Sequence, residues 1–278
     1  MQGLSPIIGS FKRYRNTFSN FWEVMFRTKL NKFPIVGELR NGKKVNLYNR
    51  SSVWITSFGI ENYWDSKGGF IVIKYKSKEL KFKGIELNGE IPEVFGLEDY
   101  GGIDYTNKVV IDVGANIGDS SIYFIVNGAK LVYAIEPFLF PFKFLKQNIE
   151  LNNMEYKIVP LNIGLWNKSG HISIDNEATT TTGMGLANVA RGTMIPVSTI
   201  EQILSDYSIE NPVLKIDCEG CEYAIFNSIS QDTMEKLNLI IIEYHNSKEP
   251  IKNILEKTYN LEIREKSEKV GIIIAKRK

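Results

Sequence analysis

Apolar residues follow two different patterns along the chain, and the change comes near residue 105. From there to the end, short apolar runs alternate with segments whose apolar residues recur at helical spacing. This alternation predicts a mostly parallel sheet with helices on both faces. The predicted strands are residues 109–112, 131–135, 156–161, 213–216, 237–242, 261–264 and 270–275, with a short extra strand at 172–174. The predicted helices are residues 120–126, 138–152, 199–204, 221–228 and 251–258.

The last two predicted strands are joined by residues 265–269 alone. A parallel connection needs a crossover of about a dozen residues or more, so these strands must pair antiparallel as a hairpin. We therefore expect a mostly parallel, seven-stranded sheet that ends in an antiparallel hairpin. That arrangement is typical of methyltransferase sheets rather than of dinucleotide-binding sheets.

The first 105 residues carry a different pattern. Phe11, Tyr14, Phe18, Phe21 and Met25 recur every three or four residues, which predicts one amphipathic helix over residues 11–30. The polar side of this helix is basic, which is compatible with a membrane surface or a partner protein. The interpretation we favour is simpler: the helix docks on the domain and leaves a solvated basic face.

Two hairpins are predicted after this helix, over residues 38–49 and 70–85, with turns at Asn41-Gly42 and near Ser77-Lys78. We interpret residues 1–105 as the helix plus a β-rich cap that helps to shape an acceptor pocket. Residues 106–278 form the second predicted domain, which contains the parallel sheet.

Composition restricts the class of protein. The 278 residues are 43% apolar and 24% charged, as in ordinary soluble globular proteins, and a net charge of +2 argues against a nucleic-acid binder. Two cysteines are too few for a disulfide framework. No apolar run approaches the roughly 20 residues that span a bilayer, and no signal-peptide pattern opens the chain. We therefore expect a cytoplasmic protein.

The first predicted strand of the sheet ends on an acidic residue and enters a glycine turn, Asp112-x-Gly114-x-Asn116-x-Gly118, before Asp119 opens a helix. Glycine allows the backbone to approach a ligand closely, and a helix N-terminus offers unpaired N–H groups. Dinucleotide sites favour GxGxxG at this place, and Asp112 would repel a pyrophosphate. The same carboxylate suits a ligand that carries an ammonium and a sulfonium, so the turn predicts S-adenosylmethionine. A turn that binds nothing is the alternative, which we disfavour because an unpaired buried charge is costly.

A second carboxylate stands at the end of the next predicted strand. Glu136 follows residues 131–135, with Pro137 behind it, at the position where a carboxylate commonly accepts ribose hydroxyls. Glu136 fits NAD and S-adenosylmethionine equally well. The cofactor-binding candidates are Asp112, Gly114, Asn116, Gly118, Asp119, Glu136 and Pro137.

Three carboxylates, Asp217, Glu219 and Glu222, follow the strand at residues 213–216 and come to the same sheet edge. They could position an acceptor hydroxyl, take its proton, or hold a divalent cation together with Glu243; a metal is possible here but not predicted. For Glu222 we favour charge compensation at a helix N-terminus. His245 leaves the next strand at this edge, and a general base or a loop hydrogen bond explains it equally well. The catalytic candidates are Asp217, His245 and Glu219.

Two further features carry less weight. Cys218 and Cys221 form a Cys-x-x-Cys pair, but the chain has no second pair and only two histidines, which argues against zinc. We interpret them as small, fairly apolar residues that flank a turn. Residues 179–185 are polar and glycine-containing, which fits a mobile lid or a plain exposed loop equally.

Two stretches resemble the FkbM family of S-adenosylmethionine-dependent methyltransferases. Residues 110–118 read Val-Ile-Asp-Val-Gly-Ala-Asn-Ile-Gly and residues 214–222 read Leu-Lys-Ile-Asp-Cys-Glu-Gly-Cys-Glu; the family typically reads Asp-x-Gly-Ala-Asn-x-Gly and Lys-Ile-Asp-x-Glu-Gly-x-Glu. The resemblance covers roughly residues 94–276. It implies a Rossmann-like class I methyltransferase fold and O-methylation of a sugar or natural-product hydroxyl. It also implies that Asp112, Gly114, Asn116 and Gly118 surround the methionine part, Glu136 the ribose and Asn162 the adenine.

Other functions stay open. An N-methyltransferase or a protein methyltransferase would use the same cofactor site, and a non-catalytic scaffold would bind the cofactor and a partner protein through the N-terminal helix. An NAD-dependent dehydrogenase is disfavoured by Asp112 and by the closing hairpin. We expect a small-molecule or glycan acceptor and no nucleic-acid partner.

Overall fold

The computed structural model describes residues 5–85, 90–173 and 192–278. The chain divides into two units, Met1–Asp99 and Tyr100–Lys278, so the division comes a few residues before the boundary predicted at residue 105. The segment 179–185, interpreted above as a lid or a loop, lies outside the described residues. Within the part of the chain that is described, no helix is long and apolar enough to cross a membrane.

The first unit combines short helices with two small antiparallel sheets, β1–β2 and β3–β4–β5. Its elements are α1 (Ser5–Thr17), α2 (Phe21–Lys29), β1 (Ile35–Glu38), β2 (Lys44–Leu47), α3 (Arg50–Ser57), β3 (Asn62–Asp65), β4 (Phe70–Tyr75), β5 (Lys78–Phe82) and the π-helical turn Pro92–Gly96. Both predicted hairpins are confirmed, as β1–β2 and β4–β5. Helix α3 was not predicted, although Asn49 and Ser52 form the reciprocal capping box that marks its start.

The single helix predicted over residues 11–30 is wrong, because the structure divides it into α1 and α2. Phe18 is fully buried and forms a β-bridge with Leu39. The Ser19 N–H donates to the Glu38 carbonyl at 2.7 Å, and the Asn20 side-chain oxygen accepts from the Glu38 N–H at 2.8 Å. Residues 18–20 therefore pair with the strand β1 region, and the helical hydrogen-bond pattern ends there.

The second unit is a Rossmann-like α/β structure around a seven-stranded sheet, as predicted. Its elements are β6 (Val109–Val113), α4 (Asp119–Val126), β7 (Leu131–Ile135), α5 (Leu139–Leu151), β8 (Ile158–Leu161), β9 (Gly164–Leu165), β10 (Gly170–Ser173), β11 (Met194–Ser198), α6 (Ile200–Asp206), β12 (Val213–Ile216), α7 (Cys221–Phe226), α8 (Gln231–Lys236), β13 (Leu239–His245), α9 (Glu249–Leu255), β14 (Tyr259–Glu265) and β15 (Val270–Arg277). The strand order is β14-β15-β13-β12-β6-β7-β8. Strand β15 runs antiparallel to β13 and β14, and the other pairs are parallel, so the predicted closing hairpin is confirmed.

Strands β9, β10 and β11 form a small separate sheet in the order β10-β11-β9. The short strand predicted at residues 172–174 is part of it, as β10. Strand β11 was not predicted, because Pro196 interrupts its apolar pattern and proline is disfavoured inside a sheet.

The central strands β6 and β12 are almost wholly buried, which explains their continuous apolar runs. Their last residues lie in register: Val113 at the end of β6 pairs with Ile216 of β12 and with Ile135 of β7. The turns that follow these strands therefore emerge at one edge of the sheet. In open α/β sheets this carboxyl edge is where ligands bind.

Candidate functional site

The glycine turn after β6 packs directly against the turn after β12. A Cβ atom on Gly114 would lie 1.8 Å from the Asp217 carbonyl oxygen, and Gly114 has a φ of +75°. Asn116 and Gly118 also have positive φ values, and a Cβ on Gly118 would lie 2.6 Å from Leu145 Cδ1. The glycine spacing thus serves close packing of the protein itself, in addition to any ligand.

Asp112 is fully buried and bonded inside the protein. The hydroxyls of Ser120 and Ser121 donate to its Oδ2 at 2.7 and 2.6 Å, and Lys215 Nζ lies 3.0 Å from its Oδ1. The argument that an unpaired Asp112 requires a ligand is therefore wrong, because Lys215 is its partner. Asp112 remains part of the candidate site, because its contacts with the two serines and with Lys215 hold the turn in place.

Lys215 is the functional residue that the sequence analysis missed. Its side chain is fully buried, and its ammonium donates to the carbonyls of Val113 and Gly114 at 3.4 and 3.1 Å. It also lies 4.0 Å from Asp217 Oδ2. A lysine inside a buried apolar strand needs a charged partner, so the run Leu-Lys-Ile contained the signal. Lys215 connects the two sequence motifs electrostatically.

Glu136, at the end of β7, holds the glycine turn in place by hydrogen bonds. Its Oε2 accepts the Asn116 N–H and its Oε1 accepts the Phe138 N–H, both at 2.9 Å. Burial raises the pKa of Glu136 to about 7, against the lowering effect of these two N–H groups. Asn162 donates from its side chain to the carbonyls of Glu136 and Pro137 at 2.9 and 3.1 Å. These predicted site residues therefore lie together and hold two loops in place.

Three buried side-chain oxygens at this turn accept no hydrogen bond within the described residues: Asp112 Oδ1, Asn116 Oδ1 and Asp119 Oδ2. Asp112 Oδ1 has the Lys215 ammonium as its ion-pair partner at 3.0 Å, so Asn116 Oδ1 and Asp119 Oδ2 are the two that this described part of the chain leaves without a partner. The other oxygen of Asp119 accepts the Ser120 N–H at 3.0 Å, and burial raises the pKa of Asp119 to about 7. Burying an acceptor without a hydrogen bond costs about 1–3 kcal/mol, and more for a charged group. The ammonium end of S-adenosylmethionine carries the N–H donors and the positive charge that these two acceptors lack.

The second cluster lies at the ends of β12 and β13. His245 donates from Nδ1 to Glu222 Oε1 at 3.2 Å, and its Nε2 is 3.9 Å from Glu243 Oε1. Glu222 is fully buried and also accepts the Gly220 N–H at 2.8 Å. Its charge is therefore used to hold His245 and the turn, a role beyond the helix-end compensation predicted for it. Asp217 Oδ2 lies 3.5 Å from the Tyr100 hydroxyl, which donates to it.

Electrostatics in this cluster determine the protonation of His245. Burial lowers the pKa of His245, but the hydrogen bond to Glu222 and the charges of Asp217 and Glu219 outweigh burial and raise it to about 9. Burial and the charge of Asp217 raise the pKa of Glu243 to about 7, and Lys266 at 2.8 Å opposes that shift. At neutral pH His245 is therefore an imidazolium cation. This protonation favours a carboxylate over His245 as the general base at this edge.

Glu219 contributes its charge to the site, since it is one of the groups that raise the pKa of His245. It lies in the turn after β12 with a φ of +56°, followed by Gly220 at +127°. Cys218 and Cys221 on either side of this turn are joined by a disulfide, with Cα atoms 5.5 Å apart. Their interpretation as unlinked residues that flank a turn is thus corrected: they close the turn covalently.

Asp217, Glu243 and His245 offer ligand atoms that all lie within 4.8 Å of one another. Carboxylate and imidazole ligands suit several divalent cations. However, Lys266 and the protonated His245 already supply positive charge to these carboxylates. The charges of the set are therefore balanced within the protein, as in a proton-handling cluster rather than in a metal centre.

The sequence profile of the methyltransferase FkbM domain matches residues 112–272. A search of curated proteins finds no match. Among solved structures, an FkbM methyltransferase from Methylobacillus flagellatus KT is similar, with 19% identity, a TM-score of 0.47, and coverage of 63% of this chain and 45% of that chain. The chain thus spans less than half the length of that protein.

Two further solved structures are similar at low identity. M. capricolum TrmK, in complex with S-adenosylhomocysteine, has 14% identity and a TM-score of 0.43, with 66% of each chain covered. M. jannaschii TYW2, in complex with AdoMet, has 19% identity and a TM-score of 0.42, with 78% of this chain and 89% of that chain covered. The FkbM profile matches more than half of the 278 residues and includes both sequence motifs. The chain belongs to the FkbM family of methyltransferases.

Proposed function

We propose that this protein transfers a methyl group from S-adenosylmethionine to a hydroxyl group of a glycan or another small molecule. The observation that carries the proposal is the pair of buried acceptors without a partner, Asn116 Oδ1 and Asp119 Oδ2, at the glycine turn of a methyltransferase-family sheet. A ligand ammonium placed there would remove two unfavourable burials at once.

The other cofactor contacts follow from the hydrogen-bonding capacity that remains at the site. Each carboxylate oxygen of Glu136 accepts one backbone N–H and retains a second lone pair, so both can accept a ribose hydroxyl. The Asn162 amide nitrogen is used on backbone carbonyls, which leaves its oxygen to face the adenine. Gly114 and Gly118 keep the backbone of the turn bare beside the methionine part.

S-adenosylmethionine supplies an activated methyl group, so the protein has to position the acceptor and handle its proton. We assign the proton acceptor to Asp217 at the end of β12. Its Oδ2 faces Tyr100 and Lys215, and among the described residues Oδ1 has no hydrogen-bond partner. The His245 imidazolium, held by Glu222, would donate a hydrogen bond to the acceptor oxygen or to Asp217 and so orient the acceptor.

A non-catalytic scaffold and an N-methyltransferase or protein methyltransferase are the competing functions. Strand β12 is followed by Asp-Cys-Glu-Gly, residues 217–220, instead of the Asn/Asp-Pro-Pro-aromatic motif that would support N-methylation. The carboxylates of the second cluster lie close to one another and to His245 instead of standing as isolated surface charges, which suits transfer of a proton. Both observations favour the hydroxyl acceptor.

The test is methyl transfer from isotopically labelled S-adenosylmethionine to a panel of glycans and small alcohols, with amines and proteins as comparison acceptors. We expect label in an alkali-stable ether of a hydroxyl compound, and a loss of at least about 100-fold in Asp217→Asn, because general-base catalysis contributes about that much or more. Asp232→Asn on the exposed side of α8 is the matched control and should transfer normally. Label on nitrogen alone, or cofactor binding with no transfer to any acceptor class, would contradict the proposal.

A further inference from the structure

The outer face of α2 presents three large apolar side chains to solvent. Trp22, Phe26 and Leu30 are 62%, 63% and 46% exposed. Residues four apart lie on one face of a helix, so these side chains form a continuous row that we call the α2 stripe. Contiguous apolar surface of this kind on a soluble unit marks a site of interaction.

The stripe is a feature of a docked helix and not of a loosely attached one. On the opposite face Val24 is fully buried in a core cluster with Phe18 and Ile35. The Trp22 ring packs on its inner side against Phe11 and Phe21, with ring centroids 5.6 and 4.9 Å apart. The helix therefore satisfies its docking contacts while the stripe remains outside.

The segment of the chain that carries the stripe is strongly basic. Residues 1–50 contain ten Lys and Arg but only two Asp and Glu, a net charge of +8, whereas the whole chain has +2. The rest of the chain is therefore net acidic. Exposed basic residues on α1, α2 and the segment after α2 are Lys12, Arg15, Lys29 and Lys32.

We propose that the α2 stripe binds the surface of an anionic lipid bilayer. Trp22, Phe26 and Leu30 would enter the boundary between headgroups and acyl chains, and the basic residues would contact anionic headgroups. A helix that lies in the membrane interface combines such an apolar face with Lys and Arg on its polar side, and Trp favours that depth. Each basic residue near an anionic membrane adds roughly 1 kcal/mol of attraction.

Two other partners fit less well. A second copy of the chain would bring two strongly positive surfaces together, which like-charge repulsion opposes. Nucleic acid binds through stacking rings interleaved with cations, and Leu30 offers no ring while the row itself contains no cation. A lipid surface uses the aliphatic, aromatic and basic groups together.

The experiment is co-sedimentation of the full chain with phosphatidylcholine vesicles that either contain or lack phosphatidylglycerol. We expect binding to the anionic vesicles that weakens as salt increases. The double variant Trp22→Ser/Phe26→Ser should lose at least about 10-fold in vesicle affinity, because two large apolar side chains would no longer be removed from water on binding. Leu139→Ser/Tyr156→Ser is the matched control, because these side chains are 76% and 97% exposed elsewhere, and it should bind vesicles normally.

Unchanged thermal unfolding of both double variants would show that the loss is not a folding defect. A charge variant, Lys12→Glu/Lys29→Glu, should lose only the preference for phosphatidylglycerol. The proposal is overturned if the Trp22/Phe26 variant and the Leu139/Tyr156 control bind vesicles alike. It is also overturned if the wild type binds neither kind of vesicle. It is also overturned if single-stranded RNA displaces the protein from vesicles at equal charge concentration, or if the Trp22/Phe26 variant loses only self-association in light scattering.

Discussion

At the scale of single residues, Lys215 determines how the two motifs meet. Its ammonium is bonded to Asp112 and to the carbonyls of Val113 and Gly114, and it lies within reach of Asp217. Removing one partner of a buried ion pair typically costs 3–5 kcal/mol, so about that loss of stability is expected of Asp112→Ala. Loss of cofactor binding in that variant would therefore report unfolding as well as the site, and Asp119 is the better position to test.

Glu222 controls the protonation of His245. Glu222→Gln removes the charge that accepts the His245 Nδ1 proton, so we expect the pKa of His245 to fall from about 9 toward its ordinary value, by about 1–3 units. The chain has only two histidines, so NMR titration of their ring signals, assigned with His245→Gln, measures this directly. In the variant, methyl transfer should then decline between pH 7 and 8, where the wild type stays nearly level and loses activity only as the pH approaches 9.

Glu222→Asp keeps the charge and should retain most of the wild-type titration, and Glu249→Gln on α9 should leave it unaltered. If His245 titrates near 6.5 in the wild type, or if Glu222→Gln leaves its pKa at about 9, the proposed pairing is wrong.

The sequence was informative about which residues gather at this edge and less informative about what each one does. Asp112, Asn116, Asp119, Glu136 and Asp217 lie together as their positions after parallel strands predicted. Their roles depend on side-chain partners that no spacing rule reveals. Lys215 takes up the charge of Asp112, and a pKa of about 9 makes His245 a cation at neutral pH, whereas its position alone was compatible with either a general base or a loop hydrogen bond.

At the scale of elements, the close contact between the turns after β6 and β12 sets the geometry of the site. Gly114 permits that contact because it combines a positive φ with the absence of a Cβ. The strand pairing that brings the turns together was predictable from alternation of strands and helices. The break between α1 and α2 was not, because Phe18 keeps the helical apolar spacing but pairs with Leu39, which is distant in sequence.

Gly114→Ala should destabilise the second unit strongly. The new Cβ would lie 1.8 Å from a backbone oxygen, so the two turns must separate, and we expect a loss of at least about 3 kcal/mol in the free energy of unfolding. Gly170→Ala is the matched control: its φ is +137°, but nothing lies within 4 Å of the added Cβ, so it should show only the cost of backbone strain, about 1–2 kcal/mol. Denaturant unfolding of the two variants checks this, and equal losses would contradict the packing argument.

At the scale of the whole molecule, the second unit buries several groups whose pKa values are raised. Burial raises the pKa of Asp119, Glu136 and Glu243 to about 7, and the carboxylates around His245 raise its pKa to about 9 against the effect of burial. The folded state thus holds these protons more tightly than the unfolded chain. The stability that each group contributes is fully present below the pKa that the group has in the unfolded chain. It is lost as the pH rises through the pKa that the group has in the folded protein.

Thermal stability should therefore decline as pH increases from about 5 to 9, by about 5 °C or more in Tm. S-adenosylhomocysteine, whose ammonium would pair with ionised Asp119, should raise Tm more at pH 8.5 than at pH 6, and Asp119→Asn should remove that pH dependence. Differential scanning fluorimetry across this pH range measures both effects. A Tm that rises with pH would contradict the raised pKa values of these buried groups. An increase in Tm with S-adenosylhomocysteine that is the same at both pH values would contradict the pairing of its ammonium with Asp119.

The most direct test of the central claim, that the glycine turn receives the ammonium end of S-adenosylmethionine, is calorimetric titration with S-adenosylmethionine, S-adenosylhomocysteine and NAD. We expect both adenosyl ligands to bind the wild type and NAD not to bind. Asp119→Asn should weaken both by about 10-fold or more, since a hydrogen bond to a charged group contributes about 1.5–3 kcal/mol, whereas the surface variant Asp232→Asn should bind normally. Binding of NAD alone, or wild-type affinity for the adenosyl ligands in Asp119→Asn, would contradict the claim.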